Sequence, residues 1–329
     1  MQYWNVVTRS FRIAWNFKYL WLIALFSGEG GASLPSFNYN FNPNTTTPNG
    51  ELPSNAQIQD QVTTWINDHI GLIVLVAVVW LVLAIAFFIL SAICEGATVR
   101  ASAEHDAERP FGLGWAWRSG RSTMWAIVRF RLLLLVLYIP LLLLLLGFAA
   151  SVALVVLGNN NGAAAGIAIF GFLVIIPGIP YLIYLGFLDR LGIRALVLEQ
   201  LGALASFARG HRLIFKRLGR TLVVWLLSIA VGIGLSVLVA CAGAIVAVPF
   251  ILIGAALFAG NSAAAIPVVI LAFIVLLPLF LIVGGFLAAQ SSTYWTLAFR
   301  RLDLDPVPAL YYPYLPVPPP QVTPPPATS

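Results

Sequence analysis

Five long apolar runs that contain no Asp, Glu, Lys, Arg or His constrain the fold of this chain more than any other feature. They occupy residues 70–93, 132–157, 163–187, 221–248 and 269–298. Each exceeds the roughly 20 residues that an α-helix needs to cross about 30 Å of hydrocarbon. A chain that is 60% hydrophobic and 9% charged also carries more apolar surface than a soluble fold of this length can bury. The sequence therefore predicts an all-α, polytopic membrane helix bundle.

A sixth and weaker span is predicted at 13–27, which brings the total to about six transmembrane helices. This run is short, and Glu29 and several glycines follow it. Arg9, Arg12 and Lys18 lie before or within its start, a pattern that also fits a cleaved signal peptide, and both interpretations stay open.

The last hairpin is longer than a bilayer requires, and Pro249 is expected to break its first helix because proline removes a backbone donor. A seventh span made from the same stretch is the main rival topology. It would place Arg300 and Arg301 on the opposite side from the other basic residues.

The distribution of charge predicts the orientation. All eighteen Lys and Arg residues fall on one side of the six-span arrangement, whereas the other side holds only four of the twelve acidic residues: Glu29, Glu51, Asp60 and Asp68. The positive-inside rule assigns the basic side, with both termini, to the cytoplasm. We therefore expect a multi-pass protein of the bacterial inner membrane.

A weak internal repeat suggests how the chain is organised. RSFRIAW at 9–15 aligns with RGHRLIF at 209–215, and WRSGRSTMW at 117–125 aligns with FARGHRLIF at 207–215. Each copy precedes an odd-numbered span, so the membrane domain, 1–301, divides into three predicted units: 1–95, 111–190 and 201–301. Each unit would be a cytoplasmic interfacial amphipathic helix followed by a two-span hairpin.

The third copy is the clearest amphipathic helix of the three. Five residues recur at spacings of three and four and form one face of this predicted helix: Leu204, Phe207, His211, Ile214 and Leu218. The basic residues point elsewhere, as in helices that lie in a membrane interface. They are the candidate headgroup-binding residues: Arg209, Arg212, Lys216, Arg217 and Arg220. Glu199 is expected to pair with Arg194 or Arg209.

One polar segment interrupts the last apolar run and is the second candidate site: Gln290, Ser291, Ser292, Thr293 and Tyr294. These side chains are expected either to line a pore or bind a headgroup, or to hydrogen-bond between helices. Small residues spaced by four, such as Gly284 with Ala288 and Gly285 with Ala289, predict close helix approach nearby.

No standard catalytic, phosphate-binding or zinc-binding motif is found, and the strong spans offer no ionisable group for proton transfer or haem ligation. Cys94 and Cys241 are far apart and are interpreted as small hydrophobic residues. We therefore expect no cofactor, no metal, no nucleic-acid partner and no enzymatic activity. An enzyme with a polar cavity around 290–294 is the third-ranked alternative.

Two segments are predicted to lie outside the bundle. The extracytoplasmic stretch 28–69 is rich in Asn, Pro, Gly and Thr and is expected to be an irregular loop, with a short helix at 58–70. The tail at 302–329 holds ten of the twenty-one prolines and is expected to be disordered and extended. It is either a docking segment for a proline-binding protein partner or a solvated tail, and a homo-oligomer also stays open.

The segments WNFKYLW at 15–21, AWRSG at 116–120 and the run 196–220 resemble a group of uncharacterised bacterial six-span membrane proteins. That group is similar to the membrane domain found fused to glycerophosphodiester phosphodiesterases. The resemblance extends to about Arg301 and implies a six-span membrane bundle. It carries no functional residue with it, and because the fused catalytic domain is absent, it does not imply phosphodiesterase activity.

The leading hypothesis is a non-enzymatic membrane protein whose basic cytoplasmic face engages anionic lipids. The alternative is a permease or exporter subunit for an apolar or zwitterionic small molecule, with Pro177, Pro180 and Pro249 as hinges.

Overall fold

The structure, a computed structural model, describes residues 3–28, 55–158, 164–259 and 265–302, and these ranges are almost entirely helical. The helices in these ranges are α1 (Tyr3–Asn16), α2 (Tyr19–Leu25), α3 (Asn55–Asp106), α4 (Leu113–Gly158), α5 (Ala164–Leu198), α6 (Ala203–Lys216), α7 (Leu218–Ala259) and α8 (Ala265–Leu302). The proline-rich tail and most of the 28–69 loop lie outside the described residues, as do the short polar segments NNNG at 159–162 and GNS at 260–262, whose composition predicts tight turns.

Five of these helices, α3, α4, α5, α7 and α8, are long and apolar enough to cross a membrane. Each apolar run forms a helix because a helix satisfies its own backbone hydrogen bonds, which lipid cannot do. The prediction of an all-α, multi-pass membrane bundle is confirmed. The helix expected at 58–70 is also present, although it is continuous with the span, because α3 begins at Asn55.

The predicted first span at 13–27 is not a single helix in the structure. α1 ends at Asn16, and α2 has only seven residues, about 10 Å of rise, which is too short to cross a bilayer. The indole Nε1 of Trp21 donates to the carbonyl oxygen of Ala14 at 2.6 Å, and so satisfies a terminal carbonyl of α1. Within the described ranges, five helices rather than six are therefore of spanning length.

The expected break at Pro249 is wrong. α7 continues through Pro249 from Leu218 to Ala259, so the seventh span is not found there. Helices α4, α5 and α8 also contain internal prolines, at Pro140, Pro177, Pro180 and Pro278. Membrane helices tolerate proline because local adjustment and neighbouring groups satisfy the freed backbone carbonyl.

Burial is concentrated at one end of the bundle. Most buried side chains fall in 6–27, 92–134, 185–224 and 288–302, which we call the packed layer, and they include Phe130, Arg194 and Trp295. Beyond this layer the apolar runs are mostly exposed, as expected of helices whose solvent is lipid. The best-packed part of the molecule is thus the end that carries most of the basic residues.

The amphipathic segments pack in a regular way within the packed layer. α1 packs on α8, the amino-terminal part of α4 packs on α3, and α6 packs on α5. α1 and α6 are separate helices of fourteen residues each, whereas the corresponding segment before the second hairpin is the continuous beginning of α4. Each amphipathic segment therefore lies against a long helix that returns to the packed layer.

Candidate functional site: the basic end of the bundle

Helix α6 is held against α5 by small residues. Its buried residues are Ser206, Gly210, Leu213 and Ile214. A Cβ atom at position 210 would lie 3.3 Å from the backbone of Gly192 in α5, so glycine permits this close approach.

The predicted apolar face of α6 lies mostly outside the packed layer. Of its five residues only Ile214 is buried, Phe207 is half-buried, and Leu204, His211 and Leu218 are exposed. The closest approach of α5 and α6 is between Gly192 and Gly210, and the buried Leu213 and Ile214 lie on the same face of α6 as Gly210.

The five candidate headgroup-binding residues occupy two environments. Arg212, Lys216 and Arg220 are exposed, whereas Arg209 and Arg217 are half-buried. Arg209 Nε lies 3.3 Å from both carboxylate oxygens of Glu199, one of the two partners expected for that carboxylate. The exposed cations are therefore carried by the outer face of α6 and the first turn of α7.

Large apolar side chains are exposed beside these cations. In α6, Leu204 is 72% and Phe215 60% exposed, and in α1, Trp4 and Trp15 are 65% and 63% exposed. The beginning of α4 likewise exposes three tryptophans, Trp115, Trp117 and Trp125. Exposed tryptophan next to arginine and lysine is typical of side chains at the boundary between lipid and water.

The polar segment of α8 is largely buried among helices. The Gln290 side chain reaches Ser10 of α1 at 3.4 Å, and the Thr293 hydroxyl lies 2.9 Å from that of Ser102 in α3. Tyr294 donates to the carbonyl oxygen of Val224 in α7 at 2.7 Å. Ser292 is also buried and Ser291 is half-buried. These contacts match the interhelical alternative, in which the segment joins α8 to its neighbours.

A cavity of about 870 Å³ that no sequence pattern indicated lies between α1 and the connection from α3 to α4. Arg9, Arg12 and Arg109 line it together with Glu108 and several aromatic residues. Arg9 Nε contacts Asp106 at 2.6 Å, and Arg109 lies 3.4 Å from Glu104. Carboxylates thus contact two of the three arginines that line the cavity, Arg9 and Arg109, and its wall combines charged with aromatic side chains.

The floor of this cavity is an aromatic stack. Phe17 lies face to face with His105 at a centroid distance of 3.5 Å, and the Tyr19 hydroxyl lies 2.6 Å from His105 Nε2. The repeated Arg9 and Arg12 were visible in the sequence, but their position opposite the end of α3 was not, since α1 and that end are about ninety residues apart.

A family model matches residues 7–298, which include most of α1 and nearly all of α8. The chain belongs to this family, a family of unknown function (DUF7544). No curated protein and no solved structure matches the chain.

The DUF7544 chain also has a buried ion pair at the edge of the packed layer from which α3 and α4 continue as exposed apolar helices. Arg131 of α4 contacts the carboxylate of Glu95 in α3, whose side chain is 3% exposed. Arg131 further donates to Ser91 Oγ at 3.0 Å and to the Ser27 carbonyl oxygen at 3.2 Å. The Arg131 guanidinium of the DUF7544 protein therefore links α4 to α3 and to the segment that follows α2.

Metal ligands do not cluster in the part of the chain that the structure describes, where no three His, Cys, Asp or Glu side chains are placed to share an ion. Cys94 is buried in the packed layer and Cys241 is exposed on α7, and both are free thiols.

Proposed function

We propose that this DUF7544 protein is a non-enzymatic protein of the bacterial inner membrane whose basic cytoplasmic face engages the headgroups of anionic lipids. The observation that carries the proposal is the outer surface of α6. There Arg212 and Lys216 are exposed in the same two turns as Phe215. An anionic lipid offers a charged phosphate to the cations and an apolar region to the ring.

The position of α6 in the fold supports the same function. α6 packs on α5 and ends two residues before α7 begins at Leu218, so its exposed cations lie where a long apolar helix starts. Arg220 continues this exposed basic surface into the first turn of α7. Basic residues at the end of a membrane span are attracted to an anionic leaflet by about 1 kcal/mol each.

The test is binding of phosphatidylglycerol and phosphatidylcholine to the detergent-purified full chain, measured by native mass spectrometry. The triple variant Arg212→Gln, Lys216→Gln and Arg220→Gln should bind phosphatidylglycerol up to about 100-fold more weakly, if each cation contributes about 1 kcal/mol. Its binding of phosphatidylcholine should not change.

A matched control removes the same charge elsewhere. Arg118, Arg121 and Arg129 are exposed on α4, and their replacement by glutamine should have a smaller effect. An equal loss in both triple variants would attribute binding to the general potential of this face and not to α6. Unchanged binding in the α6 variant would reject the lipid role.

A second candidate function is a permease or exporter subunit for an apolar or zwitterionic small molecule. It is favoured by α5, which carries Pro177 and Pro180 within one helix, a place where a membrane helix can bend. Uptake or efflux by reconstituted protein that is altered in a Pro177→Ala variant would support this function, and no transport of any tested solute would reject it. The likeness to the membrane domains fused to phosphodiesterases stays a prediction and adds no activity.

A further inference from the structure

Helices α7 and α8 enclose an apolar groove of about 420 Å³ beyond the packed layer. α7 lines it from Leu235 to Val246 with residues spaced by three and four, which form one face of that helix. α8 lines it from Leu279 to Leu287 in the same manner. Every residue that lines the groove is apolar or aromatic, so its occupant has to be apolar as well.

Two tryptophans, one on each side of the break between α1 and α2, close one end of the groove. The rings of Trp15 and Trp21 lie 5.8 Å and 5.5 Å from that of Phe286, measured between centroids. Trp21 donates its indole hydrogen to the Ala14 carbonyl oxygen, so its ring faces the groove with its polar atom already satisfied. The closed end is the end nearest the packed layer, because α1 is part of that layer.

The length of the groove fits one lipid chain. Leu235 and Val246 are eleven residues apart, a rise of about 16 Å along α7. One leaflet accounts for half of the roughly 30 Å hydrocarbon core. Inside the groove, a Cβ atom at Gly243 would meet its nearest neighbour, Phe280, at 4.0 Å, an ordinary van der Waals contact, so a larger side chain there projects into the groove without a clash at its Cβ.

Positive charge lies next to the tryptophan end. Lys18 is exposed at the break between α1 and α2, three residues from Trp15 on one side and three from Trp21 on the other. Arg12 is exposed one turn before Trp15. A lipid whose chain enters between α7 and α8 would place a negatively charged phosphate near these cations.

We propose that the groove between α7 and α8 binds one acyl chain of an anionic phospholipid, with its headgroup at Lys18 and Arg12. This site goes beyond the proposed function, since it uses no residue of α6. It selects a lipid by the fit of its chain to a groove of fixed length, and by the charge of its headgroup.

The experiment uses the full chain in proteoliposomes that contain phosphatidylglycerol with a photoreactive group midway along one acyl chain. Labelled peptides should map to α7 and α8 around Leu235–Val246 and Leu279–Leu287. Gly243→Leu fills the groove and should lower this labelling about fivefold, which corresponds to about 1 kcal/mol. Ala242→Leu places a leucine in the groove at an exposed position, and its labelling is measured in the same way if Gly243→Leu does not fold.

Ala244→Leu is the matched control, because Ala244 is exposed and lies on the face of α7 opposite the groove. It should label like the wild type. Labelling that is spread evenly over the five long helices, or unchanged in both groove variants, would overturn the site. Equal labelling by a phosphatidylcholine probe, or competition by free fatty acid alone, would overturn the assignment of an anionic phospholipid.

The α6 triple variant separates this site from the proposed function. It should keep the groove labelling while it loses phosphatidylglycerol binding in the mass-spectrometric assay. Loss of groove labelling in that variant would contradict an independent site, whereas failure of the α6 assay alone would leave the groove result standing.

Discussion

Gly120 of α4 faces the backbone carbonyl oxygen of Ile93 in α3, and a Cβ atom at position 120 would lie 2.2 Å from that oxygen. The backbone of Ala97 also lies close to this position, at 3.1 Å. No side chain larger than hydrogen fits there unless one of the helices moves. Gly120 therefore sets the separation of α3 and α4 in the packed layer.

We predict that Gly120→Ala separates α3 from α4 and lowers the free energy of unfolding by about 1–3 kcal/mol, the usual cost of overpacking. Gly114→Ala is the control, because a Cβ there meets nothing within 4 Å and alanine favours a helix. Thermal unfolding in detergent, followed by circular dichroism, measures both. A melting temperature for Gly120→Ala equal to that of the wild type would show that the contact tolerates a methyl group.

The buried ion pair between Glu95 and Arg131 gives the second prediction. Arg131→Met leaves the Glu95 carboxylate buried without its charged partner, and should destabilise the fold by about 3–5 kcal/mol. The double variant Glu95→Gln, Arg131→Met removes both charges and should recover part of that loss. Arg129→Met, at an exposed position in the same helix, is the control.

Chemical unfolding in detergent of the wild type, the single variants Glu95→Gln and Arg131→Met, and the double variant gives the coupling energy as a double-mutant cycle. The prediction is contradicted if the effects of the two substitutions simply add, or if Arg129→Met costs as much as Arg131→Met.

The long helices were predictable from the sequence because each depends on a local property, an apolar run with no charge. The positions of α1 and α6 also followed from local patterns, namely the matching segments at 9–15 and 209–215. The break after Asn16 was not predicted, and across it the Trp21 indole donates back to the Ala14 carbonyl oxygen. A hydropathy pattern does not reveal such a bond.

The candidate site was predicted less well for a related reason. Which face of α6 packs on α5 depends on the shape of α5, where Gly192 admits Gly210 at a close approach. The ion pair of Glu95 with Arg131 and the cavity beside His105 join residues that are far apart in the chain. Pairing across such separations has no signature in a single sequence.

Asp106, at the end of α3, gives the third prediction. Its carboxylate accepts from Arg9 of α1 at 2.6 Å and from Arg300 of α8 at 2.5 Å. Asp106→Asn removes the charge that both guanidinium groups share, and should weaken the attachment of α1 by about 1.5–3 kcal/mol. Amide hydrogen exchange across Tyr3–Asn16 should become about tenfold faster or more.

Glu108→Gln is the matched control for that measurement, because the Glu108 side chain is 83% exposed and lies 3.4 Å from Arg9. An exposed pair of this kind contributes little to stability. Equal exchange in the two variants would mean that Asp106 does not hold α1 in place.

Tyr294 gives the fourth prediction, which concerns how α7 is held. Among the α7 residues whose burial the structure describes, Thr221 and Val224 are the buried ones, so this helix is fixed mainly near its first turns. The bond from the buried Tyr294 hydroxyl to the Val224 carbonyl oxygen lies in that region. Tyr294→Phe keeps the ring and removes the bond, at a cost of about 0.5–1.5 kcal/mol.

Tyr181→Phe is a suitable comparison, because Tyr181 makes the same kind of bond, to the Leu137 carbonyl oxygen at 2.8 Å, between α5 and α4. Hydrogen exchange should rise near the beginning of α7 in Tyr294→Phe and near Leu137 in Tyr181→Phe. If both variants changed exchange in α7 equally, the effect would be a general loss of stability. A local response instead means that one hydroxyl fixes the base of α7, and with it the width of the groove that α7 forms with α8.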